Sequence, residues 1–147
     1  MVLVHVLCSI LSYAAFLVAF ISGLLFLIQE RQVKRKTLGV LFHRLPSLAA
    51  LDRINFQSIG FGFTLLSIGL LFGFVEVRVT FGRWWIADSK MVLAVAVWCS
   101  YLLLWMMRVR STLRGRRVAI LSILGFSLIL FTLLETSYLV RSAHPYL

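Results

Sequence analysis

The sequence predicts an all-α protein, a polytopic membrane helix bundle of about four transmembrane helices. Composition is the first reason: of the 147 residues, 61% are hydrophobic and 14% are charged, whereas soluble domains have roughly 45–50% and about 25%. The second reason is that the apolar residues form continuous runs, without the alternation that barrel strands show. We expect a single domain over residues 1–147, since this length suits one domain.

The expected helices follow from the length of these apolar runs. A spanning helix needs about 20 predominantly apolar residues to cross roughly 30 Å of hydrocarbon, and four runs qualify. The third run is the shortest, so its ends are the least sharply marked. In order along the chain, the four expected spans are 2–28, 54–75, 91–107 and 118–140.

A further short helix is expected just before the second span. Pro46 is a residue type favoured at the first position of a helix, and apolar residues recur at helical spacing over 48–54. This pattern predicts a helix lying along the membrane surface, with Asp52 and Arg53 toward water.

Small residues predict where the helices approach one another. Gly69 and Gly73 form a GxxxG pattern in the second span, and Ser12, Ala19 and Gly23 share one face of the first. Surfaces of this kind let helix backbones come close together.

The orientation in the membrane follows from the basic residues. By the positive-inside rule, connections rich in Lys and Arg face the cytoplasm. We therefore expect the first and last connections in the cytoplasm and both termini on the outer, periplasmic side of a bacterial-type inner membrane. Of the 15 basic residues, six lie in the first connection and five in the last: Arg31, Lys34, Arg35, Lys36, Arg44 and Arg53, then Arg108, Arg110, Arg114, Arg116 and Arg117.

The net charge of +10 needs no nucleic-acid partner to explain it. A strongly basic balance is typical of nucleic-acid-binding proteins, but here most of the basic residues flank apolar segments. In that position they anchor the topology and contact anionic lipid headgroups. The expected partner of these charges is the lipid bilayer, and no nucleic acid is expected.

Two histidines, His5 and His144, fall at the outer membrane surface in this topology, one near the start of the first helix and one just past the fourth. Two interpretations stay open. Interfacial histidines are common and need no ligand. Alternatively, helix packing brings the pair together as axial ligands of a heme iron, since imidazole is a good iron ligand.

The outer connection, residues 76–90, is the most unusual stretch of the chain. Trp84 and Trp85 are typical of an aromatic belt at the membrane interface, but their flat rings would also support a porphyrin by stacking. Four cations lie on the same side, where heme propionates would need them: Arg78, Arg83, Lys90 and Arg141.

No residue is assigned a catalytic role. The chain has no Walker loop, nucleophile elbow, HExxH or CxxC pattern. Cys8 and Cys99 are isolated in apolar segments, where cysteine usually behaves as a small hydrophobe. We therefore do not expect a stand-alone enzyme.

Blocks spread over nearly the whole chain share the pattern of one protein family. The blocks are His5 with Ser12 and Tyr13, 29–31, 45–53 with Gly60, 81–90, Trp98 with Tyr101 and Arg108, 114–117, and 143–146. Together they resemble the C-terminal part of the cytochrome c assembly family (CcsA, ResC and HemX type), polytopic proteins that handle heme at the outer face of the membrane.

Block 81–90 carries the most specific resemblance. It is similar to the Trp-rich heme-handling motif of the family, which typically reads WGxYWxWDPKE. Gly82, Trp85, Asp88 and Lys90 are kept. The usual Trp, Tyr, Trp, Pro and Glu are replaced by Phe81, Trp84, Ala87, Ser89 and Met91.

The resemblance implies a membrane protein of cytochrome c biogenesis that binds or presents heme at the outer face for attachment to an apocytochrome. The cofactor would be heme b, bound transiently, with His5 and His144 as axial ligands of its iron. The other cofactor-binding residues would be Trp84, Trp85, Arg83, Asp88, Lys90 and Trp98.

The resemblance also implies partners. These would be other cytochrome c assembly membrane proteins and apocytochrome c, with the chain acting as one component of a heme-attachment complex. Family members usually have several helices before the first histidine helix, whereas here Met1 stands four residues before His5. We therefore expect a partner to complete the assembly.

The replacements over residues 81–91 leave a second function open. A HemX-like regulatory or scaffold protein of the membrane would no longer bind heme and would act by contacting a partner. Its motif residues would then be free to vary, as five of them do here.

Overall fold

Four helices account for nearly all of the residues that the computed structural model describes, which are 2–36, 46–84, 89–110 and 115–142. No strand occurs in these ranges, and each helix is long and apolar enough to cross a membrane. The predicted all-α, polytopic helical fold is therefore confirmed. The helices are α1 (Val2–Lys34), α2 (Leu48–Phe81), α3 (Ser89–Val109) and α4 (Arg116–Ser142).

The first two helices are longer than the spans that hydropathy predicts. α1 has 33 residues and α2 has 34, so at 1.5 Å per residue each is about 50 Å long. Both continue past the apolar runs into flanks that carry polar and charged residues. α3 has 21 residues, about 32 Å, which is close to the thickness of the hydrocarbon core.

The separate surface helix expected after Pro46 is wrong. Ser47 caps the N-terminus of α2, its hydroxyl accepting a hydrogen bond from the Ala50 N–H at 3.2 Å, and the helix then runs without interruption to Phe81. Asp52 also departs from the expectation, because it pairs with Arg108 of α3 instead of facing water alone.

The four helices form an up-and-down bundle. α1 and α2 pair as an antiparallel hairpin, α3 packs on α2, and α4 packs on both α3 and α1. The centre of the bundle is aromatic: Phe16 stacks on Tyr101 with ring centroids 3.7 Å apart and an interplanar angle of 19°. Phe20 contacts Phe126 nearby, with centroids 5.0 Å apart.

Small residues bring the backbones close, as the sequence predicts. Ser12, Ala19 and Gly23 of α1 are buried. A Cβ built at Gly62 of α2 would lie 2.7 Å from the ring of Phe16, so the core ring occupies the space that a side chain would take. The helices therefore pack closely because small residues of one helix face large aromatic residues of another.

The outward faces of the helices are apolar. Leu3, Phe61, Leu71 and Leu103 are each more than 60% exposed, and apolar residues on this scale are rare on the surface of soluble proteins. A lipid environment satisfies such a surface, because hydrocarbon is as apolar as the side chains.

The bundle has two distinct ends. We call one the histidine end: the N-terminal part of α1, residues 69–81 of α2 with residues 82–84 that follow it, and the start of α3. We call the other the basic end: the C-terminal part of α1, the start of α2, the end of α3 and the start of α4. In the described ranges the basic end carries most of the Lys and Arg residues.

Candidate functional site

His5 lies at the histidine end, where the antiparallel pairing of α1 and α2 places it beside the last turns of α2. Its side chain is half-buried, and its Nδ1 is 2.7 Å from the main-chain oxygen of Gly69. A carbonyl oxygen can only accept a hydrogen bond. Nδ1 must therefore donate, and Nε2 is the ring nitrogen left for another partner.

Gly73 supplies the space in which the imidazole lies. A Cβ built at this position would lie 3.1 Å from both Cε1 and Nδ1 of His5, which is tighter than ordinary van der Waals contact. Gly69, one turn earlier, approaches Ser9 and the main-chain oxygen of His5. The GxxxG pattern of α2 therefore acts as predicted, as a close-approach surface, and the residue it accommodates is a histidine.

An apolar cavity of about 490 Å³ opens beside His5, between the three helix ends. A volume of this order is typical of small-molecule and cofactor sites. Leu70, Phe74, Phe81 and Met91 form much of its wall, and Glu76 contributes a carboxylate. Because Gly73 also lines the cavity, the face of α2 that supports the imidazole is the face that bounds this space.

Trp98 lies in a neighbouring apolar groove of about 430 Å³ between α2 and α3. Its indole N–H donates to the hydroxyl of Ser67 at 2.9 Å, and its ring packs against Phe63. The groove shares Leu70 and Phe74 with the cavity beside His5. Trp98 is thus held in the α2–α3 contact, with Leu70 and Phe74 between it and the cavity.

Trp84 follows the end of α2. Gly82 ends the helix in a left-handed conformation with φ 68°, a conformation that costs glycine least. The Arg78 guanidinium donates to the Gly82 carbonyl and lies over the Trp84 ring, 5.4 Å from its centroid. Trp84 is 61% exposed and Arg83 is exposed as well, so this turn presents an aromatic ring and cations at the histidine end.

Of the residues predicted to bind the cofactor, the structure places His5, Arg83, Trp84 and Trp98 at or near the histidine end. Three of the remaining four, Trp85, Asp88 and His144, lie outside the described residues. The fourth, Lys90, belongs to α3, but its side chain is outside the described part of the structure.

Sequence reasoning assigned no role at the site to two glycines of α2, Gly69 and Gly73, which contact His5 directly. A signal for these glycines exists: in an antiparallel α1–α2 hairpin, the start of α1 must face the end of α2, where the GxxxG pattern lies. Arg78, which the sequence places among the cations of this end, covers Trp84.

The described side chains bring together one imidazole and an apolar space, and no group of three His, Cys, Asp or Glu residues converges anywhere in the described ranges. Such a site suits a large apolar ligand that takes one axial nitrogen from this imidazole. A planar porphyrin has that chemistry, because most of its surface is apolar and its iron accepts imidazole nitrogen. The described residues therefore fit one side of a heme site.

Comparison with known proteins gives a consistent result. A family model described as "Cytochrome C assembly protein" matches residues 1–144. A cytochrome c biogenesis protein CcsA of Guillardia theta is 28% identical over 159 residues, which covers 98% of this chain and 53% of that protein.

Proteins of the same name from cyanobacteria are also similar. That of Prochlorococcus marinus is 35% identical over 96 residues, covering 65% of this chain and 31% of its own length. That of a Synechococcus strain is 32% identical over 108 residues, covering 74% and 31%. The chain thus spans about half or less of the length of these relatives. No solved structure gives a significant match.

Proposed function

The chain belongs to the cytochrome c assembly protein family, and we propose that it acts in cytochrome c biogenesis by holding heme at its histidine end for attachment to an apocytochrome. The relatives that it matches are named cytochrome c biogenesis protein CcsA. The observation that carries the proposal is the position of His5, whose ring lines an apolar cavity and whose Nε2 is left available by the Nδ1 hydrogen bond to Gly69.

In this proposal His5 and His144 would hold the heme iron. His5 supplies Nε2 from α1, and His144 follows α4 in sequence. When bound, the heme b supplies the group that is attached to the apocytochrome thiols. The role of the protein in this proposal is to hold and orient that group.

The residues of the outer connection would hold the rest of the heme. Trp84 and Trp85 provide aromatic faces for stacking, and Arg83 or Lys90 pairs with the propionates. Trp98, held by Ser67, supports the wall of the neighbouring groove. Asp88 belongs to the same motif and would act beside the rings of Trp84 and Trp85.

The position of the site in the cell follows from the basic end. Because connections rich in Lys and Arg stay in the cytoplasm, the histidine end faces the outer side of a bacterial-type inner membrane in this proposal. Heme is then held where apocytochromes are matured. Other cytochrome c assembly membrane proteins and apocytochrome c are the proposed partners.

A second function is supported by one observation, the replacement of five residues in the Trp-rich motif, Phe81 and Trp84 among them. A HemX-like regulatory or scaffold protein without heme would tolerate these changes. The two functions differ in whether the purified chain takes up heme.

The test is the absorption spectrum of the full chain, purified in mild detergent and titrated with hemin, in the oxidised and reduced states. We expect a bis-histidine heme spectrum that is lost in His5→Ala and in His144→Ala. His43→Ala is the matched control and should keep the spectrum. A wild-type chain that leaves the spectrum of free hemin unchanged would contradict heme binding and favour the scaffold function.

A further inference from the structure

We propose that Gly69 and Gly73 are positioning residues that fix His5 as the Nδ1–H tautomer, with the bare Nε2 directed to the cavity. The proposal rests on the proposed heme function for its purpose, but the tautomer itself is a property of the chain without ligand. It assigns to a helix-packing motif a second task, the orientation of an imidazole.

The first argument is the hydrogen bond between the two helices. His5 Nδ1 lies 2.7 Å from the Gly69 carbonyl oxygen, on a residue 64 positions away in sequence. The acceptor is a main-chain atom of a regular helix, so it cannot rotate away as a side chain can. In the neutral ring the single proton must then stay on Nδ1, and Nε2 carries the lone pair that binds a metal.

The second argument is the absence of a side chain at position 73. A built Cβ would lie 3.1 Å from Nδ1 but 3.9 Å from Nε2, so the ring rests on Gly73 by its Nδ1–Cε1 edge. Nε2 is the more distant of the two nitrogens from α2. Gly73 and His5 both line the cavity.

The third argument is that α1 is itself held at this point. The Ser9 hydroxyl donates to the His5 main-chain oxygen at 2.8 Å, and Ser9 Oγ would lie 3.3 Å from a Cβ at Gly69. Ser9 therefore packs against the same glycine whose carbonyl receives the imidazole proton. The ring of His5 and the helix turn that carries it therefore both pack against α2 at Gly69.

Glu76 is the one carboxylate among the described residues that line the cavity. If its carboxylate accepted a hydrogen bond from an Nε2–H group, the opposite tautomer would be favoured. In the described structure the imidazole instead hydrogen-bonds through Nδ1 to Gly69. The geometry thus favours the tautomer that metal-binding histidines adopt when their second nitrogen donates to a carbonyl.

The decisive measurement is ¹⁵N NMR of the full chain in detergent without heme, with labelled histidine side chains and a neutral-ring pH. His5→Gln identifies the signals of His5 among the three histidines. We expect a protonated Nδ1 and an unprotonated Nε2. A protonated Nε2 in the signals that His5→Gln removes would overturn the proposal.

A second measurement tests whether the position of the His5 ring on Gly73 supports heme binding. In Gly73→Ala the new methyl must displace the ring, so we expect mixed tautomers and a 10- to 100-fold loss of hemin affinity, about the loss seen when such supporting partners of a metal ligand are removed. Gly60→Ala is the matched control: its Cβ would lie 3.4 Å from Trp105, an ordinary contact, and both readouts should stay unchanged.

The outcomes separate this inference from the proposed function. A chain that takes up no hemin but shows the Nδ1–H signal contradicts heme binding and supports the tautomer assignment. A chain that binds hemin while Gly73→Ala leaves both tautomer and affinity unchanged overturns the positioning role and supports the proposed function.

Discussion

Asn55 is the residue at which three helices meet. Its buried side-chain amide donates to the Ala19 carbonyl of α1 at 2.6 Å and to the Ser122 hydroxyl of α4 at 2.9 Å. Gly23 allows this approach, since a Cβ there would lie 3.1 Å from the Ala119 carbonyl and 3.3 Å from the Asn55 amide nitrogen. A single amide therefore joins α1, α2 and α4 across the bundle.

Replacing this amide should loosen the bundle. In Asn55→Ala we expect the free energy of unfolding to fall by about 1–2 kcal/mol, the usual range for lost hydrogen bonds with a buried partner left unpaired. Thermal unfolding in detergent measures the change. Gln57→Ala, an exposed amide on the same helix, is the control. Equal effects of the two substitutions would contradict the role of Asn55.

At the scale of the elements, Asp52 connects three helix ends. Its carboxylate pairs with Arg108 at the end of α3 and accepts a hydrogen bond from the Gly115 N–H, before α4, at 3.2 Å. The Arg108 guanidinium also lies over Phe56, 5.3 Å from the ring centroid. This Asp52 junction holds the basic end together from within the first turns of α2.

Removing the charge should weaken the junction. We expect Asp52→Asn to lower the unfolding free energy by about 1–2 kcal/mol, between the values for exposed and for buried ion pairs. Hydrogen exchange at the Gly115 amide should also become faster, because its acceptor is weaker. Arg53→Gln changes an exposed neighbouring charge and serves as the control.

A double-mutant cycle with Arg108→Gln isolates the pair itself. We expect a favourable coupling energy between positions 52 and 108. A coupling of zero would mean that the two side chains contribute independently and that the Asp52 junction does not exist in the membrane protein.

At the scale of the whole molecule, the testable property is orientation. We expect a membrane-impermeant maleimide to label Arg83→Cys in intact cells and Lys36→Cys only after permeabilisation, in a chain whose two cysteines are first changed to serine. Both positions are exposed, so labelling depends only on the side of the membrane that each position faces. Labelling of Lys36→Cys in intact cells would reverse the topology that the basic residues predict.

The number and type of the helices could be predicted because apolar run length is a local property of sequence. Their ends could not. α2 begins at Leu48, where Ser47 caps the helix, and Asp52 in its first turns pairs with Arg108. A hydropathy profile of the sequence shows neither interaction. The expected surface helix failed because α2 runs without interruption from Leu48 to Phe81, and because Asp52, one of the two residues expected to face water, pairs with Arg108.

The site could be predicted only in part. His5 is recognisable because a histidine in an apolar helix is unusual, and the Trp-rich block belongs to the same end of the bundle. The partner of His5 could not be predicted, since every residue has a carbonyl and only the register of α1 on α2 selects that of Gly69. The packing of Trp98 on Ser67 depends on the same kind of register between α2 and α3.

The bond from His5 to a main-chain oxygen has a consequence for genetics. A scan of single substitutions looks for partners by deleting side chains, and the oxygen at position 69 survives every such deletion. What the scan would register is only a limit on size at 69 and 73, with alanine already costly at 73. The support of this histidine would therefore look, in a list of mutants, like a rule about helix packing.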